Sequence, residues 1–275
     1  MIKINILLEN YSINEQYKSR HGLSVLIEYF DKYLLLDVGP DKKFAENAKI
    51  IGFDLSEVTH LFLSHNHNDH TWGLNEFIKI NNNAAIYIMD NIYNNYFDKR
   101  YFFYMPIGLK LKEKYNSKII QLSNDLSIDN KIFFMKNVIT ENRKPTFNKT
   151  LFKKENGKIV NDVFDHEGIL VLKDNNELLI FNSCSHNGVL NIIETVKRKF
   201  PDKTIRSYVG GLHLCNPDTQ DHENPEYLDY LAEKLKTMNI NIYTGHCTGK
   251  FVLNYLTEKL GNMIHEINTG MELEV

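Results

Sequence analysis

Cysteine is scarce in this chain, and the three present, Cys184, Cys215 and Cys247, are too few and too scattered for a disulfide framework. They do not cluster as the ligands of an iron–sulfur centre would, but stand beside histidine-bearing motifs, as expected in a reducing compartment. Long apolar runs are missing: no uninterrupted stretch reaches the roughly eighteen residues a membrane span needs. The amino terminus, MIKINILLEN, interrupts its short apolar run with Asn5 and ends it at Glu9-Asn10, so it lacks the apolar core of a signal peptide. A soluble, cytoplasmic protein with no membrane partner is expected. Positive charge is not in excess either. A formal net charge of -3 and a pI near 6.4 offer no basic surface for a nucleic-acid partner. There is no glycine-rich nucleotide fingerprint, and the helical zinc motif with two histidines four apart around a glutamate is absent. With 43% hydrophobic residues in 275, the chain can bury a sizeable core, expected as one domain over 1–275.

One stretch concentrates chemistry. Leu63 to Leu74 reads LSHNHNDHTWGL and sets His65, His67, Asp69 and His70 within a few residues of each other, directly after the strand-like run His60-Leu61-Phe62-Leu63-Ser64. In an extended segment positions 65, 67 and 69 share a face, and a bend after 67 carries Asp69 and His70 toward a second ion. Imidazole nitrogens and a carboxylate suit zinc, and would also accept manganese or iron. A plain surface turn has no need of so many ligand-type side chains at one strand end.

The surrounding pattern alternates strands and helices. Ile2 to Leu8, Ser24 to Tyr29 and Tyr33 to Asp37 read as strands, and Asp37-Val38-Gly39-Pro40 breaks the sheet. Asp41 is expected to cap a helix running to about Ile51, which Gly52 ends. Leu74, Phe77 and Ile78 continue at helical spacing to Asn81, and a strand follows at Ala85 to Ile88. This predicts an α/β architecture with helices packed outside sheets. From about Asn91 to Asp165 the alternation fails in a segment rich in Tyr, Phe, Lys and Asn, read as a lid-like insertion. Its aromatics, with Lys99, Arg100, Lys110 and Lys112, would offer stacking surface and cations to an anionic small molecule. They would equally serve as a patch packed on the core or on a partner subunit, making a homo-oligomer.

Beyond the insertion, Gly168 to Leu172 and Glu177 to Phe181 form a hairpin leading into Asn182-Ser183-Cys184-Ser185-His186. Ile205 to Val209 ends in Gly210-Gly211-Leu212-His213, and Ile240 to Thr244 in Gly245-His246-Cys247-Thr248-Gly249. Amphipathic helices follow these strands, one capped by Asn224 with Pro225 in its first turn and the last stopped by Gly261. Strand ends near 65, 186, 213 and 246 thus each deliver a histidine. In such sheets ligands bind where the strands end, so the histidines are expected to converge. The Thr248 and Gly249 amides, opening the last helix, are expected to attract an anion.

The run His65-x-His67-x-Asp69-His70 after a strand resembles the signature of the metallo-β-lactamase superfamily. The segments HGLSVLIE at 21–28, LLLDVGP at 34–40, NSCSHNGVLNII at 182–193, GGLHL at 210–214 and TGHCTGKF at 244–251 resemble its dihydropterin-ribofuranosyl-aminobenzene-phosphate synthase-like branch. The resemblance implies a four-layer αββα sandwich and a binuclear zinc site. His65, His67 and His186 would hold one ion, and Asp69, His70 and His246 the other. Where many members bridge the ions with an aspartate, this chain has Cys184, which would either bridge as a thiolate or sit as a small buried residue beside the site. Where the superfamily usually reads Asp-Thr-Gly this chain has Asp37-Val38-Gly39, so Asp37 either orients a ligand histidine or merely forms the turn. Asp69 and His213 are the catalytic candidates, Asp69 as general base on the attacking water and His213 as a donor to a substrate oxyanion or phosphate. The implied activity is hydrolysis of a small, anionic, phosphate- or carboxylate-bearing molecule by a metal-bound hydroxide. A di-iron redox or oxygen-binding protein would use the same ligands but would need an electron carrier. An RNA-processing nuclease of the superfamily is disfavoured by the mild negative charge.

Overall fold

Near-continuous buried runs mark the start of the chain: Ile4, Ile6, Leu7 and Leu8, then Val25, Leu26 and Ile27, then Leu34, Leu35 and Leu36 are at most 1% exposed. Strands of that composition are covered on both faces. The computed structural model describes residues 2–90, 95–136 and 138–275, so the insertion's expected start at Asn91 lies outside the described residues. The chain folds as two compact units, the first formed by Met1–Asn124, Thr150–Gly168 and Ile267–Val275, the second by Asp125–Lys149 and Ile169–Glu266.

In the first unit seven strands run in the order Glu272–Glu274, Lys3–Leu8, Ser24–Tyr29, Lys32–Leu36, His60–Leu63, Ala85–Met89 and Ile119–Leu122. Neighbours among the first four are antiparallel and among the last four parallel. Parallel strands end on one edge, so Asp37 after one strand and Ser64 and His65 after the next emerge side by side. Two helices bury apolar faces in this unit's core, Lys43–Ile50 through Phe44, Ala45 and Ala48, and Leu74–Ile80 through Leu74, Phe77 and Ile78. Each large apolar side chain so buried contributes about 1.5–3 kcal/mol. The cap of the first of these helices is Lys42 rather than Asp41, although the Asp41 carboxylate still accepts the Lys43 N–H at 2.9 Å.

The second unit has its own seven strands, in the order Ile264–Glu266, Asn241–Thr244, Thr204–Val209, Glu177–Phe181, Ile169–Asp174, Ile132–Met135 and Leu126–Ile128. Here the first four are parallel neighbours and the last four antiparallel. Helices Val189–Lys199, Pro225–Met238 and Lys250–Leu260 supply Ile192, Val196, Leu228, Leu231, Val252 and Leu256 to its core. Asn224 caps the second of them by accepting the Tyr227 N–H at 2.8 Å.

Residues 95–165 are not one structural piece. Ile119–Leu122 extends the first sheet, while Leu126–Ile128 and Ile132–Met135 extend the second. Strands this short carry too few residues for a period to show in the sequence. Residues 96–106 and 151–161 form a separate four-stranded sheet within the first unit, in the order Lys158–Asn161, Leu151–Glu155, Tyr96–Arg100 and Phe103–Pro106. A small core of Tyr96, Ile107, Leu151 and Phe164 goes with it. Tyr101 and Phe102, at its hairpin tip, are each 92% exposed. Of the cations expected over aromatics, Lys99 lies 5.8 Å from the Tyr104 ring centroid and Lys110 lies 3.8 Å from that of Trp72. Arg100 instead pairs with Asp98. Among the described residues no helix is long and apolar enough to cross a membrane.

Candidate metal centre

Asp37 organises the turn in the first unit. Its backbone is left-handed, with φ 58°, a conformation that costs an L-residue about 1–2 kcal/mol. The gain is a fully buried carboxylate aimed at the neighbouring strand end. One oxygen accepts the Ser64 N–H at 2.7 Å, and the other accepts the Ser64 hydroxyl at 2.6 Å and the His70 Nδ1–H at 2.8 Å. Asp37 is therefore more than a turn former: with Nδ1 of His70 committed to it, Nε2 is the nitrogen turned to other work. Gly73 lets the chain close under this arrangement, because an added Cβ there would lie 2.1 Å from the Val38 carbonyl oxygen.

The four residues read as ligands in LSHNHNDHTWGL all lie in this unit. His65 Nδ1 is 2.8 Å from the Ser64 hydroxyl, and His65 Nε2 faces His67 Nδ1 at 3.1 Å. Two nitrogens sharing a tetrahedral ion with bonds of about 2.1 Å would stand roughly 3.4 Å apart, so the pair fits such an ion. Burial, with the neighbouring imidazoles, pushes the His65 pKa well down and that of His67 down to about 3, which leaves both rings neutral with lone pairs to give. His70 behaves oppositely: burial disfavours its charge, but Asp69 and Asp37 outweigh this and raise it to about 10. An ion taken at Nε2 would therefore displace a proton.

Asp69 Oδ2 lies 3.3 Å from His70 Nε2 and 3.3 Å from His21 Nε2. His21 was not singled out as a site residue from the sequence, although it opens the HGLSVLIE segment. The usable signal was the following glycine: Gly22 has φ 143°, and a Cβ there would lie 2.4 Å from the Asp69 carbonyl oxygen. Two further residues arrive from the far end of the same unit. His67, Asp162 and His166 bring ligand-type atoms together, with His166 Nε2 at 2.9 Å from Asp162 Oδ2.

The second unit gathers the rest of the expected set. Asn182 accepts the Ser185 N–H at 2.6 Å and shapes the turn that delivers His186. His186 is clipped by Asn148, whose amide accepts at Nδ1 (3.0 Å) and donates to the His186 carbonyl (2.7 Å). The His186 and His213 rings are 4.1 Å apart, and neither ring nitrogen of buried His213 makes a hydrogen bond to the described residues. Cys184, His246 and Cys247 form another ligand-type group, with the two sulfurs 3.4 Å apart and no disulfide. Burial opposes a Cys247 thiolate, but the Cys184 thiol and the imidazoles of His246 and His213 favour it and draw its pKa well down. Cys247, not expected at the site from the sequence, thus stands beside Cys184 as a second thiol of this group. Gly211 makes room for it, since a Cβ there would lie 2.5 Å from the Cys247 sulfur.

One expectation fails here. The Thr248 and Gly249 amides already donate to the Gly245 and His246 carbonyls, at 3.0 and 3.4 Å, so they are not open to an anion. The intervening short 3-10 turn, His246–Thr248, uses the donors that an α-helical start would have left exposed.

Comparison with known proteins agrees with this architecture. The profile of the metallo-beta-lactamase superfamily matches residues 18–147. The solved structure of Tm1679, described as a metal-dependent hydrolase of the beta-lactamase superfamily, superposes with a TM-score of 0.83 at 22% identity, over 100% of this chain and 99% of that one. Zn(2+)-bound PqqB from Methylobacterium extorquens superposes with a TM-score of 0.60 at 12% identity, over 99% and 100%. The chain has the α/β fold of the metallo-β-lactamase superfamily. Within it, the chain resembles 7,8-dihydropterin-6-methyl-4-(beta-D-ribofuranosyl)-aminobenzene-5'-phosphate synthase of Methanocaldococcus jannaschii, at 28% identity over 98% of this chain and 95% of that protein.

Proposed function

We propose that the protein is a metal-dependent hydrolase of a small, anionic, phosphate- or carboxylate-bearing molecule. The observation that carries this reading is the cluster of buried His65, His67 and His70 with half-buried Asp69, and Asp37 fixing the orientation of His70. The proposed ligands are His65, His67 and His186 for one ion and Asp69, His70 and His246 for the other, following the superfamily's division, with Cys184 as the candidate bridge. Zinc suits these donors, and manganese or iron would be accepted. Ions held there would supply Lewis acidity and would lower the pKa of water toward about 7. Asp69 takes the proton of the attacking water, and His213 donates to the anionic oxygen of the substrate. The molecule named in the Methanocaldococcus relative carries a 5'-phosphate, which supports a phosphate-bearing substrate. The same similarity favours a second reading, a synthase reaction that forms a dihydropterin-bearing ribofuranosyl-aminobenzene phosphate in place of hydrolysis.

Elemental analysis of freshly purified protein should find up to about two transition-metal ions per chain. Absence of metal, with no uptake of added zinc or manganese, would sink the assignment. A screen of phosphodiesters, lactones and thioesters, alongside an assay for formation of the dihydropterin compound, separates the two readings.

His186→Ala tests the ligand set from a second side. Removing an imidazole that Asn148 holds in place should weaken zinc binding by well over about tenfold. Metal content and activity equal to the wild type would remove His186 from the site.

A further inference from the structure

Asn66 stands between His65 and His67, and its own polar groups are held from elsewhere in the unit. Its side-chain oxygen accepts the Leu109 N–H at 2.7 Å, and its backbone N–H donates to His166 Nδ1 at 3.1 Å. Two residues earlier, the Ser64 carbonyl accepts the Gly168 N–H at 2.7 Å. The peptide groups on both sides of His65 are thus tied to residues 166–168.

The chemistry of His166 follows from its partners. A backbone N–H can only donate, so Nδ1 carries no proton; Nε2 carries it and donates to Asp162 Oδ2 at 2.9 Å. The other Asp162 oxygen accepts the Phe164 N–H at 2.8 Å, so the carboxylate is itself held. Both ring nitrogens of His166 are therefore committed, and its ligand-like place beside His67 is not that of a metal ligand. The ring is 1% exposed and packs 4.3 Å, centroid to centroid, from Tyr96 of the small core under the separate sheet.

We propose that Asp162 and His166 are a positioning pair: Asp162 sets the tautomer of His166, and His166 holds the Asn66 amide so that His65 and His67 present their nitrogens together. The affinity of the site for metal is thereby set from residues 162–168, which coordinate nothing. This rests on the metal reading above and adds to it a determinant nearly a hundred residues from the histidine motif.

The test compares two substitutions of similar size. Asparagine at 166 puts an acceptor where Nδ1 stood, whereas glutamine puts its amide nearer the place of Nε2. Zn2+ affinity is measured by competition with a chromogenic chelator, and the visible spectrum is recorded after loading with Co2+, with thermal melts as a check on folding. His166→Gln should weaken Zn2+ binding by about 10–100-fold and alter the Co2+ spectrum, while His166→Asn should stay within about threefold of the wild type. Equal loss in both variants, or loss in neither, overturns the positioning role while leaving the metal reading intact. Failure of both to fold also overturns it, because His166 would then be needed by the core whatever its acceptor. A wild-type protein that takes up neither Zn2+ nor Co2+ overturns the metal reading itself, and the proposal with it.

Discussion

Asp69→Asn should lose one ion and lower turnover by about a hundredfold or more. The substitution keeps the shape of the side chain and removes its charge. Asp69 Oδ2 sits 3.3 Å from both His21 Nε2 and His70 Nε2, so the charge lies among groups that respond to it. An amide is a poor ligand and no base, and both proposed duties of Asp69 fail together. His213→Ala gives the contrast. His213 is not among the proposed metal ligands, so its removal should leave metal content unchanged and weaken binding of a phosphate-bearing ligand. Metal content and initial rates on both variants, with any substrate from the screen, decide the matter. Loss of an ion in His213→Ala, with full metal and activity in Asp69→Asn, would reverse the division of roles.

Asp37→Ala is expected to have the largest effect on stability. Three donors converge on this carboxylate, the Ser64 N–H, the Ser64 hydroxyl and the His70 imidazole, and the His70 and Asp37 side chains are both 0% exposed. Removing one member of a buried pair leaves the other without its partner, at a cost of about 3–5 kcal/mol. Metal affinity should fall as well, by about 10–100-fold, because His70 would no longer be held with Nε2 forward. Denaturant unfolding and zinc titration measure the two effects separately. Wild-type stability in Asp37→Ala would show that the turn holds without the carboxylate.

The contrast between Asp37 and the neighbouring Val38 shows how sequence and structure divide the information. Asp37 could be either a turn former or a support for a histidine when only Asp-Val-Gly-Pro was in view, because both uses favour aspartate before glycine. The choice depends on Ser64 and His70, far along the chain, and on parallel pairing of Lys32–Leu36 with His60–Leu63. Val38 departs from the usual threonine and is fully buried in the apolar core of the first unit.

By itself the sequence determined the histidine turn, the strands that deliver His65, His186, His213 and His246, and the helices that follow them. These rest on local physics: adjacent ligand types, apolar runs of strand length, capping residues and glycines at positive φ. Only the tertiary structure decided that Asp37 supports His70, that His21 meets Asp69, that Cys247 stands beside Cys184, and that Asp162 and His166 hold the Asn66 amide. It also decided that the short strands at 119–122, 126–128 and 132–135 belong to the two large sheets. Each of these is a pairing between residues distant in the chain. Which donor meets which acceptor is fixed by strand order and by left-handed backbone turns, and neither leaves a period in the residues that it brings together.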